Sequence, residues 1–341
     1  MSQLSQPRFP QAYALDRETA PAFWALGILW LPLATGVQTN NRLTLLQQEF
    51  VAGPGPAAHY HHYDEGFYIL EGEFTFQAGG DTYHAGAGAL LHIPRLTQHS
   101  FVVNSPTAKV LNFYPSSGFE LLIMGLGQAA PARRVPTPAE TPLPVPEQVE
   151  ILLKLGGHTD VYPPFGFGGA PNPDHYVTHP VPWTPSALRL TNAQQSPTYA
   201  ALGSHWTLLA SSADTAGSYA VFSQELPPHT APTPQRHAED EAVYVLTGTL
   251  RVVLDEQTLE APAGTFVFIP AGTVHALTAV GEAARFLNFY LPGGFERGVV
   301  DFGTLLAASG QPAGAKPAGA KPAGDIQVFF DQTGTHTVAA G

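Results

Sequence analysis

The chain has 341 residues, 44% of them hydrophobic, and a formal net charge of −12. That length fits two domains of about 100–200 residues each, and the acidity argues against nucleic-acid or anionic-membrane partners, which reward a positive surface. No cysteine is present, which excludes disulfides, thiolate metal sites and cysteine nucleophiles and leaves His and carboxylates as the candidate ligands.

The N-terminus, MSQLSQPRFPQAY, has no basic region followed by an apolar run, so no signal peptide is expected and a cytoplasmic location is. No apolar run approaches the roughly 20 residues that span a bilayer. Leu43–Val51 is rich in branched and aromatic residues and reads as a strand that Gly53-Pro-Gly-Pro56 terminates. Phe67–Leu70, Glu73–Gln77 and Ala89–Ile93 follow as strands, separated by Glu71-Gly72 and Gly79-Gly80 and stopped by Pro94. The alternation of polar and aromatic residues over 73–77 is that of a half-buried strand. Residues 131–148 are proline-rich and read as an extended linker or arm. Glu147–Leu155 has helical spacing of Val149, Leu152 and Leu153. Further strands are expected at Ala242–Leu246, Leu250–Leu254 and Phe266–Ile269. Residues 311–324 are an Ala-Gly-Lys-Pro low-complexity stretch, and Ile326–Val338 is expected to return to the second domain. Many short strands joined by turns, in a chain with 34 glycines and 33 prolines, predict an all-β fold.

Two stretches repeat each other without a gap at an offset of 176 residues. The first is Gly53-x5-His59-x-His61-x3-Glu65-x6-Gly72, then Gly88-x5-Pro94 and His99. Its partner is His229-x5-Gln235-x-His237-x3-Glu241-x6-Gly248, then Gly264-x5-Pro270 and His275. Leu-Asn-Phe-Tyr occurs at 111–114 and again at 287–290. Such a repeat is longer than a solenoid period of about 20–50 residues and predicts a duplicated domain, with one half at 1–165 and the other at 166–341.

On a strand, alternate side chains share a face, so His59 and His61 can point inward together while Tyr60 points away. Glu65 can return to the same interior across a turn, and His99 can close the set. Three imidazoles and a carboxylate suit a divalent transition metal such as Fe, Mn, Co, Ni or Cu. In the second half Gln235 stands where His59 stands, but His237, Glu241 and His275 remain, enough for a weaker second site. His62 and His84 are expected at the surface, and His92 in the core or a pocket wall. Tyr60, Tyr63, Phe67, Phe74, Phe76 and Phe101 are expected first of all in the core.

The order HxHx3Ex6G, Gx5P and His resembles the two signature motifs of the cupin superfamily. The segments GPGPAAHYHHYDEGFYILEGEFTF and LNFYPSSGFE look most like bicupins of the quercetin 2,3-dioxygenase kind. The resemblance implies two tandem double-stranded β-helix (jelly-roll) barrels, with His59, His61, Glu65 and His99 as metal ligands. The first half departs from the pattern at Leu96, where glycine is usual, and at Val103, where asparagine is usual. The implied activity is ring cleavage of a flavonol-like substrate by O2 in the N-terminal barrel, with Glu65 as the general base. A metal-dependent isomerase or decarboxylase and a non-catalytic small-molecule binder are the alternatives, because related barrels carry many chemistries on the same ligands. The expected assembly is a monomer acting as a pseudo-dimer, or a homodimer.

Overall fold

The computed structural model describes residues 10–56, 58–141, 159–160, 186–230, 234–254, 257–306 and 336–337. The proposed helix at Glu147–Leu155 and the stretch 311–324 lie outside them. Two compact units divide the chain. One is Glu18–Asn192. The other joins Met1–Arg17 to Ala193–Gly341.

The Glu18–Asn192 unit is built on an antiparallel sheet in which Ile28–Ala34, Thr44–Pro54, His99–Tyr114, Glu65–Glu71 and Ala89–Ile93 are successive neighbours. Phe23–Ala25 and Gln128–Ala129 extend one edge, and Arg189–Asn192 pairs with Ala89–His92 at the other. His99–Tyr114 is a strand of two parts. Its first part pairs with Glu73–Ala78, as in His99↔Ala78, and its second with Glu65–Glu71, as in Asn112↔Phe67. A register shift between Val103 and Thr107 separates them, and this is how one strand serves both sheets of a jelly roll. Between the sheets sits an aromatic core. Phe50, Phe67, Phe74, Phe76 and Phe101 are all buried, and Phe50 and Phe101 meet edge to face at 5.6 Å. Each such ring contributes about 1.5–3 kcal/mol by leaving water. Tyr60 and Tyr63 are buried as well.

The second unit has the same plan. Its main sheet runs through Phe266–Ile269, Asp240–Thr247, Ala284–Leu291, Ala220–Leu226, Ser204–Ala210 and Thr198–Ala201. A smaller sheet holds Gln257–Pro262, Thr249–Leu254, His275–Ala279 and Gln235–Arg236. His275–Ala279 and Ala284–Leu291 are separate strands at the positions of the two parts of His99–Tyr114. His336–Thr337 pairs with Gln235–Arg236, which is the expected return of the C-terminal segment. Tyr13–Leu15 adds to Phe266–Phe268 at the outer edge of the main sheet. The all-β, two-jelly-roll expectation holds in both units.

Each unit places one short helix after its last long strand, Phe119–Leu126 in the first and Glu296–Phe302 in the second. A buried acid fixes each helix start. Glu120 accepts from Gly36 N at 2.7 Å and Gly118 N at 2.8 Å, and also from the Thr44 hydroxyl. Glu296 accepts from Ser212 N at 2.8 Å and Gly294 N at 2.7 Å. Among the described residues, no helix is long and apolar enough to cross a membrane.

Candidate metal centres

The first centre is assembled from three backbone segments. Tyr60–His61 is a short strand, and His59, just before it, forms an antiparallel bridge with His99. His59 N donates to His99 O at 3.0 Å, and His99 N to His59 O at 2.8 Å. That bridge sets the two imidazoles side by side, with centroids 4.3 Å apart, and the His61 ring lies 4.7 Å from His59. Glu65 opens the next strand. Its Oε2 is 2.8 Å from His99 Nε2 and 3.4 Å from His61 Nε2. One donor atom from each of His59, His61, Glu65 and His99 lies within 4.8 Å of the others, and all four residues are buried. Donors about 2.2 Å from one ion can be at most about 4.4 Å apart, so a small inward adjustment closes the set.

The donor chemistry fits a cation. The carbonyl of Thr97 lies 2.8 Å from His99 Nδ1 and accepts a hydrogen bond from the Nδ1–H, which leaves the Nε2 lone pair facing the Glu65 carboxylate. Two buried lone pairs at 2.8 Å repel unless a proton or a metal ion lies among them. His61 Nε2, His99 Nε2 and Glu65 Oε2 are buried without a hydrogen bond to close them. Burial alone would raise the Glu65 carboxyl, but the imidazoles of His61 and His99 outweigh it and hold the group well below the usual range. Burial lowers the His61 imidazole, with Glu65 offsetting only part of that. At His99 the burial effect is overcome by Glu65, and the imidazole is raised.

The second centre repeats this with one donor fewer. His237, Glu241 and His275 form a buried cluster, with Glu241 Oε2 at 3.2 Å from His237 Nε2 and 2.8 Å from His275 Nε2. The Thr273 carbonyl lies 2.9 Å from His275 Nδ1. Burial would raise the Glu241 carboxyl, but His275 and His237 hold it low. Gln235 pairs with His275 across the strands, and its Nε2 is 3.4 Å from His275 Nε2. The amide therefore sits beside the cluster, partly exposed. The structure thus carries two buried metal-binding clusters, one per domain.

Several neighbours of the ligands were not singled out as site residues from the sequence. The Tyr114 ring meets His61 edge-on at 5.5 Å and stacks on Phe119 at 4.6 Å. Tyr290 and Phe295 do the same beside His237, stacked at 4.1 Å. Burial, and then Glu65, push the Tyr114 phenol well above its ordinary value, so it stays a donor. Their signal in the sequence is the repeat itself, because Tyr114 and Phe119 recur at the same offset as the ligands. The turn before His99 also keeps its form despite Leu96. Leu96 adopts φ 65° where Gly272 has 78°, and each donates its N–H to the carbonyl of the second motif histidine, at 2.7 Å to His61 and 2.8 Å to His237.

Of the histidines read as peripheral, His84 is exposed and His92 is buried, its Nε2 2.9 Å from Ser186 Oγ. His62 corrects its expectation. It is buried at 7% exposure, and its ring lies edge-on to Tyr60 with centroids 6.2 Å apart.

Fold and donor sets together define a protein of two jelly-roll units, each with a buried His/Glu cluster. The cupin domain family model matches the chain twice, over residues 46–114 and 222–290. Among solved structures, the fold is similar to Bacillus subtilis oxalate decarboxylase, in a study of its Mn(II) centres, with a TM-score of 0.56 and 15% identity over 86% of this chain and 80% of that one. It is also similar to the Escherichia coli protein Ylba, with a TM-score of 0.51 and 12% identity over 85% of this chain and 94% of that one. At such identities the likeness is one of fold. An uncharacterized protein of Streptomyces coelicolor is 29% identical over 63 residues, a stretch spanning 18% of this chain and 60% of that relative.

Proposed function

We propose that the chain is a metal-dependent enzyme that decarboxylates a small carboxylate substrate at the N-terminal centre. The supporting observation is the four-donor cluster of His59, His61, Glu65 and His99, set in a fold like that of oxalate decarboxylase. A bound divalent ion supplies a Lewis acid that polarises a substrate oxygen. His59, His61 and His99 would hold it as neutral ligands, with Glu65 as the fourth ligand and the acid–base group. In decarboxylation the carbon–carbon bond to the carboxylate breaks, CO2 leaves, and the electron pair left behind is protonated. The proton would come from the substrate's own carboxylic acid group, taken up by Glu65 as base and returned to the carbon that loses CO2, so that no outside acid is consumed. The second centre, with Gln235, His237, Glu241 and His275, is proposed as a weaker metal site, because an amide replaces an imidazole.

A second reading is favoured by the surround of the first centre, where Tyr114 and Phe119 meet His61 with aromatic faces and edges. Such walls suit a flat aromatic substrate. In that reaction Glu65 would take the proton of a flavonol hydroxyl, O2 would be consumed, and the opened ring would release carbon monoxide.

The test is the full-length protein loaded separately with Mn(II), Fe(II), Co(II), Ni(II) or Cu(II). Carbon dioxide release from oxalate or a keto acid without net oxygen uptake is the expected result. Oxygen uptake with carbon monoxide release from quercetin would move the assignment to the second reading. Turnover of neither class with any of the metals would overturn the enzyme reading.

A further inference from the structure

Leu111-Asn-Phe-Tyr114 recurs unchanged as Leu287-Asn-Phe-Tyr290, and none of these residues is a metal donor. Asn112 and Tyr114 lie two apart on one strand, so their side chains share a face. Both reach the same atom. Asn112 Nδ2 donates to Glu65 Oε1 at 2.8 Å, and Tyr114 OH donates to it at 2.6 Å. Gln48, on the neighbouring strand, donates from Nε2 to Asn112 Oδ1 at 2.7 Å. That bond fixes which end of the Asn112 amide faces Glu65. Gln48, Asn112, Tyr114 and Glu65 are all buried, so water does not compete for these bonds.

The second centre holds the same parts more loosely. Asn288 Nδ2 donates to Glu241 Oε1 at 2.7 Å and to Gln224 Oε1 at 3.0 Å. Tyr290 OH, however, is 3.4 Å from Glu241 Oε1, well beyond the usual O–H···O range of about 2.5–3.0 Å. Asn288 Nδ2 lies 3.0 Å from that hydroxyl. One firm donor holds Glu241 where two hold Glu65.

We infer that Asn112 and Tyr114 are positioning residues that make Glu65 a single-oxygen ligand. By occupying Oε1, they leave Oε2 alone to face the imidazoles. A carboxylate free to turn could offer both oxygens to an ion and fill a position that substrate needs. With Oε1 engaged twice, that second metal–oxygen bond has to displace two hydrogen bonds. The Gln48–Asn112–Glu65 chain carries this constraint from one strand to the next, and the longer Tyr290 bond leaves Glu241 freer to turn. The inference rests on the metal reading of the first centre and adds the coordination mode of its carboxylate.

The experiment uses the full-length chain carrying His237→Ala, which weakens the second centre, reconstituted with Co(II). The readings are the visible absorption band of bound Co(II) and its affinity by competition with a chelator. Tyr114→Phe removes the hydroxyl and keeps the ring. The expected result is a changed band and an affinity lower by about 10–100-fold, as is usual when a partner of a metal ligand is lost. Phe113→Leu, on the same strand with its side chain on the opposite face, disturbs the core and is expected to leave the band in place. If Tyr114→Phe does not fold, Asn112→Ser takes the same readings with the same expectation. An unchanged band with affinity within about twofold, or the same change in Phe113→Leu, overturns the inference. A folded His237→Ala protein that binds no Co(II) would instead remove the metal reading beneath it, a result distinct from an unaltered Tyr114→Phe.

Discussion

Glu65 meets donors at one oxygen and imidazoles at the other, and this division decides what its amide variant would do. In Glu65→Gln the amide oxygen takes the place of Oε1, because Tyr114 and Asn112 both donate there. The amide nitrogen is then turned towards His61 and His99, and it has no lone pair to offer a metal. Metal affinity is therefore expected to fall by about 10–100-fold, and turnover at matched metal content by a further 10²–10⁴-fold, roughly the cost of losing a general base. Glu241→Gln is expected to leave turnover nearly intact if chemistry resides at the first centre. Elemental analysis with product release on metal-matched samples measures both, and full activity in Glu65→Gln would remove its acid–base role. The cluster His59, His61, Glu65 and His99 was legible in the sequence because strand alternation puts His59 and His61 on one face and the motif resemblance supplies Glu65 and His99. The part played by Asn112 and Tyr114 was not. It depends on Asn112 lying opposite Phe67, two residues beyond Glu65, and no spacing within one strand reveals a pairing with another.

At the scale of the element, turn glycines set the strand ends. Gly72 joins Glu65–Glu71 to Glu73–Ala78 with φ 89°, and a methyl group there would lie 2.7 Å from the Thr107 carbonyl oxygen. Gly248 repeats both features, with φ 76° and 2.6 Å to the Ala283 carbonyl oxygen. Gly80 has φ 95° but open space around it. Gly72→Ala is thus expected to combine backbone strain of about 1–3 kcal/mol with overpacking of about 1–3 kcal/mol, whereas Gly80→Ala carries the strain alone. Urea unfolding followed by circular dichroism compares the two, and equal losses would show that the Thr107 contact relaxes freely. Strands such as Ala89–Ile93 and Phe266–Ile269 stood out in the sequence because Gly and Pro bracket them. The two-part strand His99–Tyr114 did not, since Ser105, Pro106 and Thr107 look like a stop, and only the pairing on either side shows the chain continuing. The short helices after Tyr114 and Leu291 also escaped notice. Buried Glu120 and Glu296 hold them through one local and one distant backbone N–H each, Gly118 and Gly36 for the first, Gly294 and Ser212 for the second.

At the scale of the whole molecule, the 176-residue repeat gave the domain number, but strands from outside each motif region complete the sheets. Arg189–Asn192 extends the first unit, and Tyr13–Leu15 extends the second. The two segments stand 176 residues apart, at the repeat's own offset, yet each pairs with a strand from the opposite half of the sequence, and comparing the halves does not reveal that exchange. Tyr13 packs on Phe266 and Phe268, with centroids 6.0 and 5.7 Å away. Tyr13→Ala is expected to destabilise the second unit by about 1–3 kcal/mol, from lost burial and ring contacts. Hydrogen exchange should then quicken at Phe266–Phe268 and not at Thr44–Pro54, and equal quickening in both would contradict this local role.

The pairing of Tyr13–Leu15 with Phe266–Phe268 also bears on synthesis. The two partners leave the ribosome about 250 residues apart, which at about 5–20 residues per second is roughly 12–50 seconds. Over that interval the Glu18–Asn192 unit can fold while the earliest strand of the chain still waits for its sheet. Unless that strand docks, Phe266–Ile269 has a vacant hydrogen-bonding edge, the kind of surface through which β-proteins self-associate. A nascent chain that loses or occludes its first 15 residues would thus make its last domain with an open seam, and its yield in soluble form would be set by how fast neighbouring copies find that seam.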